Sequence, residues 1–308
     1  MTAAETWRDE AQRIFRDGVR LDEPLDRHTS MGVGGPADAL FLPADLEELA
    51  RVVRFLRSHD LSGMPVGNWT NLFATEKGYR GALISLAKLR GIGTSTDAAG
   101  EVTIRAGAGA GLAELVDLCR KEGWAGMEFC AGIPGSVGGA VRMNAGAYGG
   151  EIKDVVRSIR LLEADGALQD RAAEQLLFEY RNLSLPANAI IVEAVIGLRK
   201  GDRQKIAAEI GGILANRKSR HPLNVRSAGS VFKNPKGSPA GRLIEEAGLK
   251  GTRIGDAQVS EVHGNFIVNL GHARAADVIA LIEKVRAAVL ERTGIALELE
   301  VKIIGEQS

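Results

Sequence analysis

The chain has 308 residues and a mass of 32.7 kDa, enough for a sizeable core and two or three domains. Lysine plus arginine equals aspartate plus glutamate at 39 each, which excludes a global electrostatic grip on nucleic acid or an anionic membrane. No run of ~18 apolar residues is present to cross a bilayer, and the first twenty residues lack the unbroken apolar stretch of a secretory leader, so a cytoplasmic protein is expected.

The opening residues place Trp7, Ile14 and Phe15 in a helical rhythm, predicting an N-terminal helix within 1–19. Asp45 and Glu48 make a capping-box pair ahead of a helix whose apolar face is Leu46, Leu49, Val52, Val53 and Leu56. Short strands are expected around Met64–Val66 and Ala82–Leu86, giving a small α/β lobe over 20–88. A second lobe over 89–200 starts with Val102, Ile104 and Ala106 alternating along a strand. A helix at Leu112–Glu122 and a glycine-rich run at Ala131–Gly150 come next. Val156–Leu162 and Leu168–Arg171 flank Ala164-Asp165-Gly166 as a hairpin, and Ala189–Leu198 reads as a buried strand. Gly201-Asp202 marks a boundary, after which 201–308 reads as an α+β domain. Its elements are helices at Arg203–Arg217 and Leu243–Ala247, a strand at Asn265–Leu270, and a helix at Ala275–Arg292. That last helix lines up Val278, Ile279, Ile282, Val285, Val289 and Leu290, and Ala296–Ile304 closes the chain as a strand.

Glycine stands out, with 38 residues against an average usage of ~7%. Gly107-Ala108-Gly109-Ala110-Gly111 lies between a strand and a helix, but Leu112 stands where a Rossmann fingerprint needs its third glycine. Three other segments suit phosphate better: Ser30–Pro36 (SMGVGGP), Val66–Leu72 (VGNWTNL) and Ala131–Gly146 (AGIPGSVGGAVRMNAG). Consecutive small residues let several backbone N–H groups converge on a diphosphate without a lysine. Each could also be a plain turn cluster; three in one chain favour a dinucleotide-sized ligand. The five histidines show no metal spacing, and no metal is expected. Cys119 and Cys130 form no CxxC pair and read as buried hydrophobes.

These residues carry a resemblance. Ala131–Gly135, Gly138–Ala140, Met143–Gly149, Tyr180-Arg181, Ala228–Pro235 (AGSVFKNP), Ala240–Leu270 and Leu297–Gly305 together resemble the UDP-N-acetylenolpyruvoylglucosamine reductase (MurB) family, in its order, over roughly residues 20–305. The resemblance implies a two-lobe α/β FAD-binding domain of the vanillyl-alcohol-oxidase type, followed by an α+β substrate-binding domain. It also implies non-covalent FAD, NADPH as co-substrate, and reduction of UDP-N-acetylglucosamine enolpyruvate to UDP-N-acetylmuramate, a peptidoglycan precursor. Only 48 residues lie between Arg181 and Ser230, which matches the shorter family form without an extra substrate-covering insertion.

Residue by residue, the resemblance assigns the proton donor to Ser230 and the clamp on the substrate carboxylate to Arg181 with Glu300. Hydride addition to an enolpyruvyl group leaves an enolate, which needs such a clamp and an acid. Arginine suits the clamp because its fork donates two parallel hydrogen bonds and stays charged. Glu298, two residues from Glu300 and on the same face of a strand, is the alternative carboxylate. FAD contacts are expected from Gly67, Asn68, Trp69, Thr70, Asn71, Gly132, Ile133, Pro134, Gly135, Gly138, Gly139, Asn144, Ala145 and Gly146. Tyr180, Lys233, Asn234 and His263 are expected at the UDP-sugar.

One departure concerns the diphosphate loop, where Trp69 replaces a family glycine. An indole adopts positive φ at a cost, so either Trp69 points away from the cofactor or FAD binding is weakened. Two rival readings remain: another oxidoreductase of the same flavin fold acting on a small hydroxy acid or alcohol, and a non-catalytic UDP-sugar-binding protein that lost its flavin.

Overall fold

A computed structural model describes residues 3–306. Met1 and Thr2, included in the expected N-terminal helix, lie outside the described residues, as do Gln307 and Ser308. Helix α1 (Ala3–Phe15) leads to strands β1 (Val19–Pro24) and β2 (Pro36–Phe41). Helix α2 (Leu46–Ser58) begins at Asp45, whose carboxylate accepts the Glu48 N–H at 2.8 Å, while Glu48 takes the Ala44 N–H at 2.7 Å. The reciprocal cap read from the sequence is therefore present, with its return bond one residue earlier. Strands β3 (Gly63–Val66), β4 (Leu72–Ala74) and β5 (Tyr79–Ser85) follow, and β3 pairs parallel to β5.

Strands β6 (Ile92–Thr96) and β7 (Glu101–Gly107) pair antiparallel ahead of α3 (Leu112–Glu122), which ends on left-handed Gly123. After β8 (Trp124–Ala125) comes the short α4 (Val137–Arg142), then the two-residue pair β9 (Gly146–Ala147) and β10 (Gly150–Glu151). The expected hairpin is β11 (Val156–Leu162) with β12 (Leu168–Ala172). Strands β13 (Leu177–Glu179) and β14 (Asn182–Ser184) form a smaller hairpin around Tyr180 and Arg181. The buried strand β15 (Ile190–Lys200) lies between β11 and β7.

Helix α5 (Arg203–Arg220) extends three residues past its expected end. Then come β16 (Arg226–Ser230), α6 (Ala240–Glu246), β17 (Arg253–Ile254), β18 (Ala257–Val259) and β19 (Phe266–Asn269). Helix α7 (Ala275–Thr293) and strand β20 (Lys302–Ile304) complete the fold.

The chain divides into two compact units. The first comprises residues 1–21, 39–68 and 81–216, and the second 22–38, 69–80 and 217–308. Two apolar clusters stabilise the first unit. One packs α1 and α2 through Trp7, Phe15, Leu49 and Phe55; the other gathers β7, α3, β11 and β15 around Ile104, Leu115, Ile159 and Ile196. Helix α5 buries Ile206, Ile210 and Ile213 in that second cluster, which is why it belongs with this unit although it lies beyond the Gly201-Asp202 boundary. The second unit has a sheet in the order β16-β19-β18-β17, with α7 packed over it.

Two expectations are corrected here. Leu290 of α7 is 49% exposed, because the face that reaches the core is Val278, Leu281, Ile282, Val285 and Val289. The expected strand Ala296–Ile304 is regular only from Lys302; before it a single bridge joins Leu299 to Phe232.

Leu281 is fully buried. Leu281→Ala is expected to lower stability by about 2–5 kcal/mol through lost transfer energy and a residual cavity. Leu290→Ala is expected to stay within about 0.5 kcal/mol. Urea midpoints of the two variants against the parent protein check both values.

Candidate active site

In the first unit, two glycine loops meet. A Cβ added at Gly67 would lie 2.3 Å from the Ser136 hydroxyl, and one at Gly138 would lie 2.7 Å from the Ala108 Cβ. Gly132 and Gly135 hold φ of 72° and 135°, a region that L side chains rarely adopt. Ser136 caps α4 by accepting the Gly139 N–H at 3.3 Å. At Gly67 and Gly138 glycine thus lets the chain pack closely on itself, while the positive φ of Gly132 and Gly135 turns backbone N–H groups in the way a diphosphate-binding concavity requires, so the residues fit FAD. The Ser30–Pro36 loop shows the packing role alone. Its Gly34 and Gly35 face Ala74 and the Glu76 carbonyl of their own unit, so chain packing accounts for those glycines.

Asn144 is expected to face the cofactor, yet it is fully buried and its amide is occupied. It donates to the Glu179 carbonyl at 3.0 Å and to Glu151 at 3.2 Å, and it accepts the Lys153 N–H at 3.1 Å. Its side chain therefore braces the β13–β14 turn. In that turn Arg181 has φ 59°, stacks 5.0 Å from the Tyr180 ring, and donates to the Gly146 carbonyl at 2.8 Å. Arg142 was not anticipated from the sequence. It donates to Asn182 and to the Leu183 carbonyl, both at 2.6 Å, fixing the far side of the same turn. An arginine on a six-residue helix gives no local signal of such a partner 40 residues away.

In the second unit, Thr70 and Asn71 approach the β16 segment that carries Ser230 and the segment before β20 that carries Glu300. Gly229, with φ 77°, lies near the Thr70 carbonyl, 4.0 Å from where its Cβ would stand. The Glu300 N–H donates to the Val231 carbonyl at 2.9 Å, putting Glu300 one residue from Ser230 across the pairing. Asn71 donates from its side chain to the Glu300 carbonyl at 3.1 Å and accepts the Lys302 N–H at 3.0 Å. Glu298 is exposed and pairs with Lys233 at 3.5 Å, so it is engaged at the surface while Glu300 is the more enclosed carboxylate. Asn234 accepts the Ala240 N–H at 2.9 Å, at the start of α6.

His263 sits edge-on to His221 and Phe266 and accepts the Asn265 N–H at 3.1 Å through Nδ1, which leaves the proton on Nε2. Burial, reinforced by Lys250, holds its pKa below the usual histidine range. Burial first, then Arg217 and His263, pushes His221 down to about 4.

Trp69 has φ 57° and is only 8% exposed; its indole lies tilted over His28 with ring centroids 5.3 Å apart. His28 in turn pairs with Glu23 at 2.7 Å, and the Trp69 carbonyl accepts the Ser30 N–H. The indole is thus engaged by its own unit. Cys119 and Cys130 are both buried, and burial pushes the Cys119 thiol up to about 12 and Cys130 higher still, so neither serves as a nucleophile. Among the described residues, no group of three histidine, cysteine or acidic side chains could hold a metal ion.

The glycine cradle and the appended α+β unit define an FAD-dependent oxidoreductase, and the comparisons agree. A family model described as an FAD binding domain matches residues 37–171, and one described as UDP-N-acetylenolpyruvoylglucosamine reductase, C-terminal domain, matches residues 221–304. The UDP-N-acetylenolpyruvoylglucosamine reductase of Syntrophus aciditrophicus is 54% identical over 299 residues, covering 97% of this chain and 96% of that one. The corresponding protein of Heliobacterium modesticaldum is 45% identical, covering 96% and 93%. The crystal structure of the MurB of Thermus caldophilus matches with a TM-score of 0.78 at 36% identity, over 93% of this chain and 98% of that one. The chain belongs to the UDP-N-acetylenolpyruvoylglucosamine reductase family. No helix among the described residues is long and apolar enough to cross a membrane.

Two outcomes are expected from this geometry. Left-handed backbone costs a non-glycine residue roughly 1–2 kcal/mol, while deleting a buried indole costs about 3–5 kcal/mol. Trp69→Gly is therefore expected to lower stability by about 2 kcal/mol and to leave FAD affinity within a few-fold. Fluorescence titration with FAD checks it; a tenfold gain in affinity, about 1.4 kcal/mol, would mean that the indole crowds the cofactor.

The second outcome concerns His221. The unfolded chain takes up a proton near pH 6.5, whereas folded His221 stays neutral down to about 4. Its contribution is present above pH 6.5 and is lost as pH falls toward 4. His221→Asn should accordingly lose less Tm than the parent protein between about pH 7 and 4.5.

Proposed function

We propose that this chain reduces the enolpyruvyl ether of UDP-N-acetylglucosamine enolpyruvate to UDP-N-acetylmuramate with NADPH, using Ser230 as proton donor and Arg181 with Glu300 on the substrate carboxylate. The observation that carries the reading is the Val231–Glu300 hydrogen bond of 2.9 Å, which brings the segment bearing the Ser230 hydroxyl beside the segment bearing the half-buried Glu300, next to Thr70 and Asn71. When bound, FAD supplies the two-electron chemistry, accepting hydride from NADPH and returning it to the enolpyruvyl group. The charge then falls on the substrate carbon that bears the carboxylate. Arg181, always cationic and presented on a strained turn, offsets that charge as it spreads into the carboxylate oxygens. The Ser230 hydroxyl delivers its proton to the same carbon, and Glu300 orients the carboxylate and supports resupply of the proton.

Gly67, Asn68, Thr70, Asn71 and the 132–139 loop would hold the FAD diphosphate through backbone groups. Tyr180, Lys233, Asn234 and His263 would contact the UDP-sugar. A neutral His263 bearing its proton on Nε2 donates one hydrogen bond without adding charge. A nucleotide-sugar substrate and NADPH both point to the cytoplasm as the place of action.

The two half-reactions separate the roles. Hydride transfer from NADPH needs no proton at the enolate carbon, so Ser230→Ala should leave flavin reduction nearly intact. Reoxidation by the UDP-enolpyruvyl sugar should slow by at least ~10²-fold, since a positioned acid typically contributes 10²–10⁴. Rapid-mixing absorbance measures each half. Equal slowing of both would make Ser230 structural, and no slowing of either would move the proton donor elsewhere.

A further inference from the structure

We infer that Asn265 is a positioning residue that holds the Ser230 segment in register for proton delivery. The inference rests on the reading of Ser230 as the acid. Between Ser227 and Ser230, strand β16 advances three residues while its partner advances two, from Val268 to Phe266. One residue is therefore extra, a bulge in which Gly229 adopts φ 77°. A bulge re-aims the side chain beside it, and here that side chain is Ser230. It also weakens the pairing that would otherwise hold the strand, so the residues beyond Ser230 must be secured by other means.

Asn265 secures them. Its carbonyl accepts the Val231 N–H at 2.9 Å. Its side-chain Oδ1 accepts the Phe232 N–H at 2.9 Å, and its Nδ2 donates to the Phe232 carbonyl at 2.8 Å. One amide side chain thus makes both bonds that a neighbouring strand would make. Asn265 and Phe232 are 3% and 1% exposed, so water does not substitute for either bond. On the other edge, Glu300 donates its N–H to the Val231 carbonyl and Lys233 donates to the Glu298 carbonyl at 2.8 Å. The segment after Ser230 is therefore bracketed from both sides, and Asn265 supplies the whole of one bracket. Only asparagine carries a donor and an acceptor on two separate atoms on so short a stem: leucine has neither, and aspartate turns the donor into a second acceptor facing the Phe232 carbonyl.

The test uses the FAD-loaded full chain with Asn265→Leu, Asn265→Asp, Ser230→Ala and the Asn265→Leu/Ser230→Ala double variant. Both Asn265 variants should slow flavin reoxidation by the UDP-enolpyruvyl sugar at least tenfold. Flavin reduction by NADPH and the substrate Kd should stay within about twofold. In the Ser230→Ala background, Asn265→Leu should add no further slowing, because the group it positions is gone. Independently of turnover, hydrogen exchange of the 226–235 peptide should quicken at least tenfold in each Asn265 variant. If leucine prevents folding, Asn265→Ser keeps one of the two bonds and carries the same comparison.

A slowed Ser230→Ala enzyme beside unaffected Asn265 variants overturns this inference and leaves the Ser230 reading standing. Equal slowing of both half-reactions, or full additivity in the double variant, overturns it as well, by making Asn265 a general structural residue. An unaffected Ser230→Ala enzyme overturns the underlying reading and the inference together.

Discussion

The parallel pairing of β20 with β4 is the constraint on which the second unit depends. It registers Lys302 with Leu72 and Ile304 with Ala74, joining segments more than two hundred residues apart. Asn71 extends that pairing by one residue through its side-chain bond to the Glu300 carbonyl. The segment before β20 that carries Glu300 is thereby tied to the loop expected at the diphosphate. Through its N–H, Glu300 also bonds the Val231 carbonyl, one residue from Ser230. Closing so long a loop costs conformational entropy that a three-residue ladder alone does not offset. Burial of Phe73, Phe232, Leu297 and Val301 in one apolar cluster supplies the remainder.

Four of the eight non-glycine residues with positive φ among the described residues lie in or beside the loops expected at the cofactor and substrate. Among the described residues, the non-glycine positions of positive φ include Trp69, Asn144, Tyr148 and Arg181. Such conformations persist only where the surroundings over-determine them. Each of the best-defined cases has an evident restraint: His28 against the Trp69 ring, three hydrogen bonds on the Asn144 amide, and backbone carbonyls on the Arg181 guanidinium. A guanidinium held by backbone carbonyls would lose little freedom on meeting the substrate carboxylate proposed for it.

Much of this was legible in the chain itself. The helices came from 3.6-residue periodicity with caps at Asp45 and Gly294, and the β11–β12 hairpin from its Asp-Gly turn. The motif residues Ser230, Lys233 and Glu300 do lie together. Other features resisted. Leu290 fits the apolar stripe of α7 yet faces solvent, since periodicity gives a face and not its width. The internal hydrogen bonds of the Asn144 side chain were not legible either, because they are set by partners up to 35 residues away.

Local pattern therefore determined the elements, the glycine loops and the family to which the residues belong, because period, capping and turn chemistry act within a few residues. Tertiary structure alone decided that α5 packs with the first unit, that Glu300 is enclosed while Glu298 pairs with Lys233 at the surface, and that Asn265 brackets the Ser230 segment. The physical reason is the same in each case. Burial and hydrogen-bond satisfaction are properties of neighbours in space, and a single buried amide can be paired only by groups that the whole fold brings to it.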